Sequence, residues 1–176
     1  RNFLYQEMVR IVREKKPKFF IGENVKGLVS FAKGKALASI LEDFSDCGYN
    51  VQWSVLNAAD YGVPQKRQRV ILFGVRNDVV FNGVFPPPVT HFNPKLVKGN
   101  VRKWVSVGDA LRDIPEPTAK HALKNHTASK YKLRFNNYIG HRVVDPDEPS
   151  PTITARGDEK GGVVVIHHPS NKRRMT

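Results

Sequence analysis

A short apolar run, Phe19-Phe20-Ile21, set between two segments of helical periodicity, constrains the fold of this chain more than any other feature. Before it, Leu4, Met8, Ile11 and Val12 recur at helical spacing with Arg10, Arg13 and Glu14 between them. This predicts an amphipathic helix from Phe3 to Lys15, stopping ahead of Pro17. After the run, Leu37, Ile40, Leu41 and Phe44 repeat at i, i+3, i+4 and i+7, and Gly48 stands where a second helix would end. The run itself closes on Gly22-Glu23-Asn24, which predicts a strand buried on both faces with polar residues at its carboxyl end. Tyr49, Val51, Trp53 and Val55 then alternate with Asn50, Gln52 and Ser54, the pattern of a strand with one covered face. A polar loop from Asn57 to Arg69 leads into another apolar run, Val70 to Val75. Two strands flanking that loop, after helix, strand and helix, predict an α/β sheet with an antiparallel edge.

The character of the chain changes after Asn77. Pro86, Pro87 and Pro88 follow one another and Pro94 comes soon after, so a proline-rich crossing separates a first unit, residues 1–80, from a second, residues 81–176. In the second, Ser106 and Asp109 have the spacing of a capping box ahead of a short helix bearing Val107, Ala110, Leu111 and Ile114. Lys120 to Arg134 is basic and polar, with Tyr131 interleaved and Phe135 just beyond. From Pro149 to Ile166 short strands are expected, with a turn at Gly161-Gly162. The second unit is therefore expected to be small, mixed and strand-rich.

Charge narrows the partners. The sequence holds 29 Lys and Arg against 16 Asp and Glu, a formal charge of +13, which favours a polyanion, nucleic acid before membrane surface. A single cysteine excludes an internal disulfide, and no run approaches the ~20 apolar residues of a membrane span. A soluble cytoplasmic protein is expected. Because the sequence opens on Arg1 without a signal-peptide pattern, a native amino terminus upstream is also expected.

Two segments carry chemistry. Gly22-Glu23-Asn24-Val25 places a carboxylate where ligands bind in open α/β sheets, outside the carboxyl end of a strand. Glu23 there is an acid or base, or else it caps the next helix or pairs with a lysine such as Lys26. The loop Tyr61-Gly62-Val63-Pro64-Gln65-Lys66-Arg67-Gln68-Arg69 brings three cations within four residues into the start of a strand. Arginine forks suit phosphates and base edges; a solvated basic turn is the plain alternative. Cys47 follows Phe44 on the apolar stripe of the second helix and reads as a buried structural thiol. His121, His126, His167 and His168 lack partners at metal-ligand spacing, and Trp53 and Trp104 read as core or domain-junction residues.

Taken together, the segments resemble the cytosine-5 DNA methyltransferases. Pro17 to Leu28, containing Glu23-Asn24-Val25, is similar to the family segment ending in Glu-Asn-Val, and Leu56 to Arg69 to its Gln-x-Arg-x-Arg segment. Pro149-Ser150-Pro151-Thr152-Ile153-Thr154 and the closing Arg173-Arg174-Met175-Thr176 resemble the approach to the family's ninth motif. Pro86 to Asp145 falls in the variable stretch that, in this family, reads the target sequence. The resemblance implies the C-terminal part of a Rossmann-like methyltransferase sheet plus a target-recognition region.

It also implies a reaction: methyl transfer from S-adenosylmethionine to carbon 5 of a cytosine flipped out of double-stranded DNA. By carry-over, Glu23 hydrogen-bonds N3 and the exocyclic amine and supplies a proton, a general-acid role. Arg69 holds the O2 side, while Gln65 and Arg67 support the site or the backbone phosphates. Asn24 orders the neighbouring loop. Arg102, Lys103, Lys124, Lys130, Lys132 and Arg134 are the expected phosphate contacts. The departures are as informative: no Pro-Cys dipeptide is present, and no Gly-rich strand-to-helix turn with an acidic residue about 20 positions later. The nucleophile and the main S-adenosylmethionine motif are therefore missing. The expectation is a fragment, inactive by itself, whose partners are duplex DNA and the rest of the same enzyme or a complementary subunit. Self-association through uncovered apolar surface is a further expectation. The other class of function is a catalytically dead DNA-binding module of the same fold.

Overall fold

The structure is a computed structural model and describes residues 4–120, 122–124, 126–128, 141–153 and 165–170. Contacts divide the chain into two compact units, one formed by 1–57 and 68–89, the other by 58–67 and 90–176. The division by contacts falls at 89 rather than 80, because Phe81 and Phe85 pack on Phe73 of the first unit. The loop 58–67 leaves the first unit and is bonded within the second.

In the first unit, helix α1 (Leu4–Lys15) precedes strand β1 (Phe19–Val25), helix α2 (Lys35–Ser45), and strands β2 (Tyr49–Asn57) and β3 (Gln68–Arg76). The sheet order is β1-β3-β2, and β3 is antiparallel to both neighbours. The antiparallel strand expected at an edge is thus central among these three. The α2 crossover returns β2 in the direction of β1 but one strand-width away, and β3 fills the gap with hydrogen bonds to both.

One face of the sheet carries the core. Phe20, Tyr49 and Leu72 meet Val9 and Val12 of α1 and Leu37, Ile40 and Phe44 of α2. The apolar stripe of α1 is rotated from its expected line: Val12 is buried and Met8 packs on the core as expected, but Val9 is buried as well, whereas Leu4 is 78% and Ile11 49% exposed. The expectation that β1 is buried on both faces is corrected too. The strand extends through Glu23 to Val25 and its burial alternates, with Phe20 and Gly22 inward and Ile21 70% exposed on the other face. Phe81 covers Phe19 and Phe73 on that outer face, but not Ile21. Cys47 lies past the end of α2, in the turn before β2, and is only partly buried against the core. The expected fully buried thiol is therefore a half-covered turn residue.

The second unit has little regular structure among its described residues. Helix α3 (Val107–Leu111) opens on the expected cap, with Ser106 Oγ accepting the Asp109 N–H at 3.1 Å, but stops before Ile114. Strands β4 (His141–Val143) and β5 (Val165–His167) pair in parallel. Val107 and Val144 form the buried centre with Leu111 packed against them. Of the strands expected from Pro149 to Ile166, β5 is described and Ser150 makes an isolated bridge with Gln65; Gly161-Gly162 lies outside the described residues. No helix among the described residues is long and apolar enough to cross a membrane.

Candidate active site

Glu23 and Arg69 are brought together by strand register. In the β1–β3 ladder Glu23 stands opposite Ile71 and Val25 opposite Arg69, so the two side chains are diagonal neighbours on the outer face. Arg69 Nε donates to Glu23 Oε1 at 2.7 Å; Glu23 is 53% exposed and Arg69 20%. Arg69 also donates from Nη1 to the Gln68 carbonyl at 2.9 Å, which fixes the plane of its guanidinium. Lys26 donates to Gln68 Oε1 at 3.0 Å, the next rung along the same pair of strands. Glu23 does not cap a helix, since the short helical turn that begins at Lys26 has Val25 at its cap position and no side-chain cap bond. Asn24 Oδ1 accepts the Val25 N–H at 2.8 Å and so shapes the exit of β1.

Gln65 and Arg67 belong to the second unit by contacts, on the loop 58–67. Gln65 bridges Ser150; the Ser150 N–H donates to the Pro64 carbonyl at 2.9 Å, and the Lys66 N–H donates to the Ser150 carbonyl at 2.8 Å. Thr152 Oγ1 donates to the Lys66 carbonyl at 3.1 Å. The two motif-bearing stretches, Tyr61 to Arg67 and Pro149 to Thr152, are therefore zipped along their backbones. Sequence reasoning missed the side chains that complete this zipper. Glu148, 15% exposed, accepts from Lys66 at 2.7 Å and from Lys95 at 2.6 Å. The hydrogen bond from Lys66, then that from Lys95, holds the Glu148 carboxyl below the usual carboxylate range. Lys66 also lies 5.5 Å from the centre of the Trp104 ring, whose Nε1 donates to Asp60 Oδ1 at 2.8 Å. Glu148 is 82 positions from Lys66 and follows no local spacing rule, so no sequence signal marks it.

Arg102, Lys103 and Lys124 are exposed. The first two lie where the strand-like bridge Phe92 to Lys103 crosses the unit surface. Lys130, Lys132 and Arg134 fall outside the described residues, as does His121. Among the described residues no group of three His, Cys, Asp or Glu could hold a metal ion.

With this geometry in place, comparison with known proteins decides the family. The family model for C-5 cytosine-specific DNA methylase matches residues 1–174. The chain belongs to that family. It is 46% identical over 157 residues to the Type II methyltransferase M.BsuRI of Bacillus subtilis, covering 89% of this chain and 33% of that protein. It is 36% identical over 190 residues to the Type II methyltransferase M.NgoFVII of Neisseria gonorrhoeae, covering 96% of this chain and 50% of the relative. The chain thus spans half or less of the length of these relatives. A crystal structure from E. coli, described as a DNA modification methyltransferase encoded within a prophage, shares the fold with a TM-score of 0.58 at 18% identity. That match covers 86% of this chain and 57% of the other.

Proposed function

We propose that this chain is the cytosine-reading part of a DNA (cytosine-5-)-methyltransferase, which moves a methyl group from S-adenosylmethionine to carbon 5 of a cytosine flipped out of duplex DNA. The observation that carries this reading is the Glu23–Arg69 pair, held on adjacent strands at 2.7 Å in a chain of this family. Cytosine presents an amine donor at C4 and acceptors at N3 and O2. A protonated carboxyl accepts from the amine and donates to N3, and a neighbouring guanidinium donates to O2. Uracil and thymine present an N3–H donor and an O4 acceptor instead, which a carboxyl meets only with its proton on the other oxygen and so without a donor toward N3.

The chemistry assigned to these residues follows from charge. Addition of a nucleophile at carbon 6 drives negative charge onto N3 and O2, where a proton from Glu23 and the fixed charge of Arg69 neutralise it. Asn24 shapes the strand end, Gln65 and Arg67 support the base or its flanking phosphates, and Arg102, Lys103 and Lys124 neutralise phosphates. S-adenosylmethionine supplies an electrophilic methyl group when bound. The groove of about 700 Å³ beside Leu4, Asn24 and Phe31 has no carboxylate in its lining to hold ribose hydroxyls.

The test is Glu23→Gln in the intact protein. Turnover on duplex DNA should fall by about 100- to 10,000-fold, the range for a lost general acid, with duplex affinity nearly unchanged. Unaltered turnover would leave Glu23 as a strand-pairing residue only.

A further inference from the structure

The Glu148 network supports a role for a residue that no motif marks. Glu148, with a side chain 15% exposed, is shared by two ammonium groups that stay open to solvent, Lys66 at 45% and Lys95 at 74%. Its position is specific: Glu148 immediately precedes the stretch whose backbone is zipped to Pro64 and Lys66. Lys66 itself sits between Gln65 and Arg67 in the chain. Its ammonium is held on one side by Glu148 and lies 5.5 Å from the Trp104 ring centre. Backbone bonds on both faces of Lys66 and a tethered side chain leave residues 65 to 67 little freedom to turn. We infer that Glu148 is a positioning residue: by holding Lys66 it fixes the seat of Gln65 and Arg67 in the second unit. This rests on the proposed function, in which those two side chains support the flipped base or its phosphates.

Two consequences distinguish positioning from plain structural support. Lys66 and Lys95 are committed to Glu148, so losing Lys66 alters turnover rather than duplex affinity, whereas removing the Glu148 charge lowers turnover and also frees two ammonium groups that tighten duplex binding. The seat requires opposite charges at positions 66 and 148, so exchanging the two restores part of it, with Lys95 then facing a lysine.

The experiment uses the intact protein with Glu148→Gln, Lys66→Met, Lys66→Glu, Glu148→Lys, and the last two combined. Glu148→Gln and Lys66→Met should each lower turnover on the order of 10- to 100-fold, the cost of about an ångström of misplacement, with KM for duplex little changed in Lys66→Met and lowered in Glu148→Gln, where two lysines are freed. The Lys66 backbone amide should exchange with solvent about tenfold faster in both, while the amides of β1 and β3 keep their protection. The exchanged pair should recover part of the turnover that either reversal alone loses. Lys66→Met, at a partly exposed position, keeps the test decisive where a Glu148 variant fails to fold. Unchanged turnover, a loss confined to KM, or an exchanged pair no better than its parents would overturn the inference. Should the unaltered protein transfer no methyl group, the proposed function fails, while the amide exchange still decides whether Glu148 seats Lys66.

Discussion

Replacing Gly74 by alanine tests how the sheet is built and hence how Glu23 is held. Gly74 pairs with Phe20 across β1 and β3, and the Phe20 ring lies flat over it: a Cβ at this position would meet Phe20 Cε1 at 2.0 Å and Cζ at 2.3 Å. The whole effect is therefore steric. For a normal contact of about 3.5 to 4 Å the ring has to withdraw by roughly 1.5 to 2 Å. It has nowhere to go. Phe20 is buried, with the Phe44 ring centre 4.5 Å away and that of Tyr49 at 5.3 Å. Overpacking of this kind costs about 1 to 3 kcal/mol, and two displaced aromatic contacts add roughly 0.5 to 1.5 kcal/mol each, so about 2 to 6 kcal/mol is expected. Against a typical total of ~5 to 15 kcal/mol this is a large loss. Urea unfolding of the purified protein, extrapolated to zero denaturant, measures it. The same substitution in a Phe20→Leu background should cost under about 1 kcal/mol, since the clashing ring edge is gone. A loss below ~0.5 kcal/mol in the unaltered background, or the same loss in both, would refute the reasoning.

Acid should weaken the second unit through Glu148. Its lowered carboxyl contributes stability above the ordinary value of 4.5, and that contribution is lost as pH falls through the depressed folded value. The unfolding midpoint should accordingly drop as the pH goes below 4.5, and Glu148→Gln should flatten that slope; parallel profiles for the two proteins would count against the pairing. At the DNA surface, Arg102→Gln and Lys103→Gln should each weaken duplex binding equally on unrelated sequences and reduce the log–log salt slope by about 1. A loss that depends on the sequence of the duplex would make these residues base readers instead.

Much of the first unit was legible because periodicity reports local burial. The spacing in α1 and α2 and the alternation in β2 place these elements within a residue or two of their observed ends. What periodicity does not carry is the position of the cover. In α1 a stripe centred on Leu4, Met8, Ile11 and Val12 and one centred on Val9 and Val12 differ by a small rotation, and only the contact with α2 and the sheet chooses the second. In β1 a continuous apolar run reads as doubly buried, yet Ile21 is open because the segment carrying Phe81 covers only the neighbouring Phe19 and Phe73. Glu23 and Arg69 were each legible through family resemblance. Their direct contact was not, because it depends on a register between strands 46 positions apart in the chain, which the sequence does not display locally.

The same limit applies to charge, and it changes what the +13 means. Lys66, Arg67 and Arg69 look equivalent in sequence, as three cations at the start of a strand. In the fold, Lys66 is committed to Glu148 and Arg69 to Glu23, on different units. Lys95 shares Glu148, Arg76 pairs with Asp78, and Arg10 with Glu7 and Glu14. A cation already bonded to a carboxylate releases few counterions when DNA approaches, because its charge is balanced before the encounter. On the proposed function, the salt dependence of DNA binding is therefore expected to follow cations such as Arg102 and Lys103 rather than the formal charge. The carboxylates that silence the others act instead on geometry, holding Arg69 at the end of β1 and Lys66 against the Pro149 to Thr152 stretch. A basic protein of this kind divides its cations between attraction and alignment, and the division is written in strand register and tertiary pairing.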